Sequence, residues 1–226
     1  MAYTMTHILI AERVLDDIKT QAPIDYPTYI VGAAAPDAVH ASPRYTRTLK
    51  EKSHFFPEGA VWGKITKESR FRDWMDKIKM FYMLNHHKYD RDFLLGYIIH
   101  VLTDVFSCRQ IFVPFYASLS KENFDDKMNQ FREESYCVNY YLFCEYSKRK
   151  NLFQLLREGR SCSIVDVFDE KLLDDRIKQL YDFEFRPHDI EHLINHEICT
   201  IENTNKLIED VPKMIKSVFL DDYYTI

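Results

Sequence analysis

Turn formers are scarce in this chain. Five glycines and eight prolines in 226 residues are too few for a sheet protein, which needs a turn signal about every 8 to 12 residues. The cysteines, at 108, 137, 144, 162 and 199, are odd in number and never spaced C-x-x-C. They read as reduced thiols, mostly small core residues, and not as a disulfide or metal framework. No basic block is long enough to lie along duplex nucleic acid, since Lys and Arg are scattered and the formal charge is −5. The opening MAYTMTHILIAERVLDDIK lacks a basic region before its apolar residues, so no signal peptide is expected and the expected address is cytoplasmic. No uninterrupted apolar run approaches the roughly 18 residues of a membrane span, because His100 and Asp104 break the one candidate. Neither a Gly-rich phosphate loop nor a serine nucleophile elbow occurs, which argues against nucleoside-triphosphate and serine-hydrolase chemistry.

What the chain does have is apolar content, 46% hydrophobic and 15% aromatic, enough to bury one full core. We therefore expect a single all-α domain, a multi-helix bundle over residues 1–226, with a site-bearing half at 1–112 and a second helical half at 113–226. Helices are expected at about 4–20, 27–36, 66–85, 90–112, 121–158, 166–181 and 187–220, with 39–65 as a long loop. A structureless loop of that length is usually functional. The aromatics gathered between 131 and 153 suit a packed core or a partner face.

The chemistry starts in GYIIHVLTDVFS. On a helix, His100 and Asp104 lie about 40° apart on one face, while every other face is apolar, so the helix belongs inside. An ionised aspartate there costs several kcal/mol unless a cation meets it, and no Lys or Arg lies between Arg91 and Arg109. A metal ion would satisfy both side chains; a buried His–Asp hydrogen bond is the alternative. His7 sits on the apolar stripe of the first helix with Ala11, Val14 and Ile18, whereas Glu12 and Asp16 mark its solvent face. In YIVGAAAPDAVH, small residues precede Pro36 and Asp37, letting another backbone come close; Asp37 is either a helix cap or a site carboxylate. KSHFF places His54 beside two phenylalanines that would anchor the loop. The resulting set is His7, Asp37, His54, His100 and Asp104, with His40 one turn from Asp37 as a spare ligand or substrate contact. His188, His192 and His196 form a second i, i+4 series, but Ile190, Leu193, Ile194, Ile198 and Ile201 take the buried side of that helix and leave the histidines on a solvated face. His86 and His87 read as a polar loop.

MTHILIAERVL, YIVGAAAPDAVH, KSHFF and LLGYIIHVLTDVFS, in this order and at these separations, resemble the zinc-dependent phospholipase C family, which shares its fold with fungal single-strand nucleases. The resemblance covers about residues 1–112. It implies that Asp37, His54, His100 and Asp104 hold one zinc, and that Asp104 bridges to a second held by His7 and, in secreted relatives, by the mature N-terminal backbone. If Met1 is removed here, the free amine falls at Ala2. It further implies hydrolysis of a phosphodiester, such as a small diester or a phospholipid headgroup, with Asp37 and Asp104 as catalytic candidates. The family's third metal site uses a histidine about six residues after the His-x-x-x-Asp element, where this chain has Gln110. That site is missing or rebuilt from weaker ligands, for which Glu133 and Glu134 are the candidates. One or two zinc ions are thus expected. The alternative reading is a metal-stabilised scaffold that has lost catalysis and binds another protein.

Overall fold

The computed structural model describes residues 3–18 and 23–221. Among them the regular structure is helical: α1 (Thr4–Ile18), α2 (Tyr26–Ala34), α3 (Arg47–Ser53), α4 (Glu68–Asn85), α5 (Arg91–Ser107), α6 (Val113–Ala117), α7 (Phe124–Glu145), α8 (Arg149–Glu158), α9 (Glu170–Gln179) and α10 (Ile201–Ile215). Short 3-10 or π turns extend several of them, notably 35–41 after α2 and 108–112 after α5. The all-α bundle expected from the sequence is present.

The bundle is wrapped around α5, whose sixteen residues from Asp92 to Ser107 are all buried. Asp90 caps it, accepting from the amides of Asp92 and Phe93. Through α6 this stretch, 91–117, is long and apolar enough to cross a bilayer; 72% of its most apolar window is buried inside the protein, as a core helix would be. The tightest packing is α2 against α5. A Cβ added to Gly32 would sit 2.1 Å from the Phe93 carbonyl oxygen, and one added to Gly96 would sit 2.1 Å from that of Tyr29. Reciprocal glycines therefore let the two backbones touch, as the run of small residues in YIVGAAAP leads one to expect.

Three expected elements differ. The 39–65 loop contains α3, capped by the Thr46 hydroxyl, which accepts from the Leu49 amide. The 121–158 helix breaks between Glu145 and Arg149, where Tyr146 turns into the core. The helix expected from 187 begins only at Ile201, after a Thr200 cap; Lys19 and Thr20, the expected end of the first helix, lie outside the described residues. In place of an α-helix, 185–200 is irregular apart from a 3-10 turn at Leu193–Asn195, and Ile194 is 92% exposed, so the supposed apolar stripe is not one. His188 stacks on Tyr136 and His196 lies 3.2 Å from the Cys199 carbonyl, which scatters the three histidines. Glu12 is not on a solvent face either: it is half-buried, bonded to Tyr26, Tyr146 and Lys148. Of the aromatics of 131–153, Phe131 and Tyr146 are in the core, Tyr136, Tyr140, Tyr141 and Phe143 are half-buried, with Phe143 stacked on Phe185 at 4.5 Å, and Phe153 is exposed. All five cysteines are free thiols, only Cys108 being fully buried.

Candidate metal centre

His7 (α1), Asp37 (the 3-10 turn after α2), His54 (the end of α3), and His100 and Asp104 (α5) meet at one point inside the bundle. His7 Nε2 is 3.5 Å from Asp104 Oδ1, and His54 Nε2 is 3.3 Å from Asp104 Oδ2 and 3.5 Å from Asp37 Oδ1. The rings of His7 and His100 stack at 3.6 Å, and those of His54 and His100 meet edge to face at 5.4 Å. Potential ligand atoms of His7, His100 and Asp104 lie within 4.8 Å of one another, as do those of Asp37, His54 and His100.

His54 at the end of α3 and His100 on α5 each have the outer ring nitrogen fixed by backbone. His100 Nδ1 lies 2.6 Å from the Ala33 carbonyl oxygen, a contact that exists because Gly32 and Gly96 let α2 and α5 touch. The carbonyl can only accept, so Nδ1 carries the proton and Nε2 keeps its lone pair. His54 Nδ1 lies 3.0 Å from the Lys50 carbonyl and 2.7 Å from Ser53 Oγ. Around it, Trp74 donates its indole N–H to the His54 carbonyl at 2.7 Å, and the Tyr97 hydroxyl donates to that of Ser53. The α3 terminus closes with the Phe56 amide on the Glu51 carbonyl and the Phe55 amide on that of Lys52, the Schellman pattern. Phe55 occupies the left-handed position, φ 52°, that glycine usually fills. Its ring packs on Phe81 at 4.5 Å while Phe56 stacks on Trp62 at 3.9 Å, so the two phenylalanines do anchor the segment.

The inner atoms carry the signal. Among the described residues, His54 Nε2, His100 Nε2, Asp37 Oδ1 and Asp104 Oδ1 are buried without a hydrogen bond. Leaving such groups unsatisfied costs about 1–3 kcal/mol each, more when charged. Their spacing explains them: separations of 3.3–3.5 Å are long for hydrogen bonds but match the edge of a tetrahedron whose bonds are about 2.0–2.1 Å, roughly 3.4 Å, as zinc requires. The donor set, imidazole nitrogen with carboxylate oxygen, also suits zinc. These residues fit a zinc ion.

Electrostatics agree. Burial pushes the Asp104 carboxyl up, yet His54, His7 and His100 outweigh it and hold it below the ordinary range. Asp37 is likewise raised by burial but held well below the ordinary range by Lys50, His40 and His54. Burial lowers His54, while Asp104 and Asp37 raise it further, for a net rise. His100 falls well below the ordinary histidine value, through burial and then His7, so it stays neutral.

Other expected residues lie elsewhere or act otherwise. Asp37 is no helix cap; its carboxylate faces His40, Lys50 and His54. Glu133 is exposed. Glu134 is buried, but its carboxylate accepts from the amides of Glu197, Ile198 and Cys199, so it caps a loop. Gln110 points to the Met214 sulfur. Met1 and Ala2 lie outside the described residues. Lys50, whose ammonium is 3.5 Å from Asp37 Oδ1, was not singled out by the sequence.

An all-helical bundle with a buried His/Asp cluster that could hold a metal ion is the class of protein these observations define. The sequence model of the family described as zinc-dependent phospholipase C matches residues 6–153, and the chain belongs to that family. No curated protein and no solved structure matches the chain.

Proposed function

We propose that this protein is a zinc-dependent, phospholipase-C-like hydrolase of a phosphodiester, either a small diester or a phospholipid headgroup ester. The observation that carries the proposal is the convergence of buried imidazole and carboxylate atoms, without hydrogen bonds and at ligand-edge spacing, in a chain of this family. Asp37, His54, His100 and Asp104 would hold one zinc. Asp104 presents Oδ1 toward His7 and Oδ2 toward His54, an orientation suited to sharing between two ions, with His7 on the second. Zinc held there would act as a Lewis acid, making water acidic and offsetting charge on the phosphoryl group. Asp37, the more solvent-accessible of the two site carboxylates, would be the acceptor for the proton of attacking water. Neutral His100, locked by the Ala33 carbonyl, holds its lone pair inward without competing for that proton.

Zinc content of the purified protein, together with turnover of a chromogenic phosphodiester, tests the reading. Zinc at one or two ions per chain and hydrolysis lost in His100→Ala are expected; no zinc and no hydrolysis would remove it. A second reading, a metal-stabilised scaffold without catalysis, is favoured by the engagement of Gln110 and Glu134 away from any third site. Bound zinc, a chelator-sensitive melting temperature and no hydrolysis across a panel of phosphoesters would select it.

A further inference from the structure

The site's side chains are not equally shut off from water. Those of His7, His54 and Asp104 expose 2% or less, while that of Asp37 exposes 13%, so the approach from solvent passes Asp37. Two basic side chains stand there. Lys50 Nζ is 3.5 Å from Asp37 Oδ1 and 3.0 Å from His40 Nε2, and His40 Nε2 is 3.2 Å from the same carboxylate oxygen. Lys50 also lies over the Trp62 ring, 6.0 Å from its centroid, and His40 stacks on Tyr45 at 4.8 Å. Only 11% of the Lys50 side chain is exposed, a degree of burial a lysine accepts when an anion partners it.

In the zinc-free protein that anion is Asp37. A divalent cation that takes Asp37 as a ligand draws the same oxygen away, and one such cation already balances the carboxylates of Asp37 and Asp104. Lys50 then tips the mouth of the site positive and is left short of negative charge, in a partly desolvated place where charge-assisted hydrogen bonds are strong. A phosphoryl group entering past Asp37 supplies what the ammonium lacks.

We propose that Lys50, supported by His40, is the anion clamp at the mouth of this centre, gripping a non-bridging phosphoryl oxygen of the substrate and of the phosphomonoester product. The inference rests on reading the site as a zinc phosphodiesterase. It gives α3 two tasks one turn apart: His54 inward to the metal, Lys50 outward to the phosphate. Because the product carries more negative charge than the diester, the clamp holds product more tightly and makes the reaction sensitive to phosphomonoester.

The test uses zinc-loaded protein freed of excess metal and titrated with inorganic phosphate by calorimetry at fixed ionic strength. Lys50→Met should weaken phosphate binding about ten- to a hundredfold while zinc per chain and melting temperature stay at parental values, and Lys50→Arg should recover part of the loss. Equal phosphate affinity in parent and Lys50→Met overturns the proposal. So does loss of zinc from both variants, which would make Lys50 a support for Asp37 alone. Lys50-dependent phosphate binding in a protein that hydrolyses no phosphodiester would remove the hydrolase reading and leave the clamp, whereas hydrolysis with an unchanged KM in Lys50→Met would remove the clamp and leave the hydrolase.

Discussion

Asp104→Asn is the substitution that best separates a metal centre from a buried polar cluster. The residue is 1% exposed and the asparagine is isosteric, so no cavity opens. In chelator-treated protein the change removes one partner of a buried pair and should cost up to about 3–5 kcal/mol, less where His54 sheds its proton, so each protein's zinc shift is read against its own chelated melt. With zinc the two proteins should part. A ligand that binds only the folded state stabilises by about 2.7 kcal/mol at a hundred times its Kd and about 4.1 kcal/mol at a thousand times. For a chain of this size each kcal/mol moves the melting temperature by about 2–4 °C, so zinc should raise the parent by about 5–16 °C. Asp104 offers Oδ2 to the His54 side and Oδ1 to the His7 side, so the substitution weakens both places together and most of that rise should vanish. Paired melts with zinc and with chelator measure it. A parent indifferent to chelator, or a variant keeping the full zinc shift, would refute the reasoning.

Gly96→Ala places a methyl 2.1 Å from the Tyr29 carbonyl oxygen; we expect at least about 1–3 kcal/mol of destabilisation and weaker zinc binding as Ala33 withdraws from His100 Nδ1, read by melts and zinc titration, and full parental behaviour would contradict the close-approach account. Glu134→Ala strands three loop amides and should cost about 1–3 kcal/mol in a denaturant titration with zinc content unchanged; a drop in zinc would make Glu134 a ligand after all. The pH dependence has two opposed parts. In chelated protein the raised pKa of His54 gives stability that is complete below its unfolded value of about 6.5 and is lost as pH rises through the folded value; zinc needs the neutral ring, so its stabilising increment should grow over the same rise, and melts at stepped pH with and without chelator should diverge upward. The lowered Asp37 and Asp104 contribute stability that is present above about 3.9 and is lost as pH falls through their folded values, so acid should release zinc and lower the melting temperature together.

The helices that bury one stripe or all faces were legible in the sequence: α5 because from Phe93 to Phe106 only His100, Thr103 and Asp104 interrupt its apolar surface, α1 because His7 shares the stripe of Ala11, Val14 and Ile18. The stretch from 187 to 200 misled for a physical reason. His188, His192 and His196 with Ile190, Leu193 and Ile198 imitate a 3.6-residue period, but the amides of 197–199 bond to Glu134, more than sixty residues away, and no local pattern reveals that. Its real boundary was readable, since Thr200 accepts from the Asn203 amide at 3.0 Å as an ordinary helix cap. Thr46 marks α3 in the same way.

That second cap decides how much of the candidate site could be read. As a loop, 39–65 gives no residue a face, and His54 stands out only through the phenylalanines beside it. Once Thr46 starts a helix, Lys50 and His54 fall four residues apart on one side, so any fold that turns His54 to the cluster also brings Lys50 to its edge. The structure places it there, beside Asp37 and over the Trp62 ring. A lysine one turn from a buried histidine, on a helix that closes over paired carboxylates, is thus a signal in its own right: the histidine's lone pair calls for a cation, and the ammonium, once that cation is in place, calls for an anion.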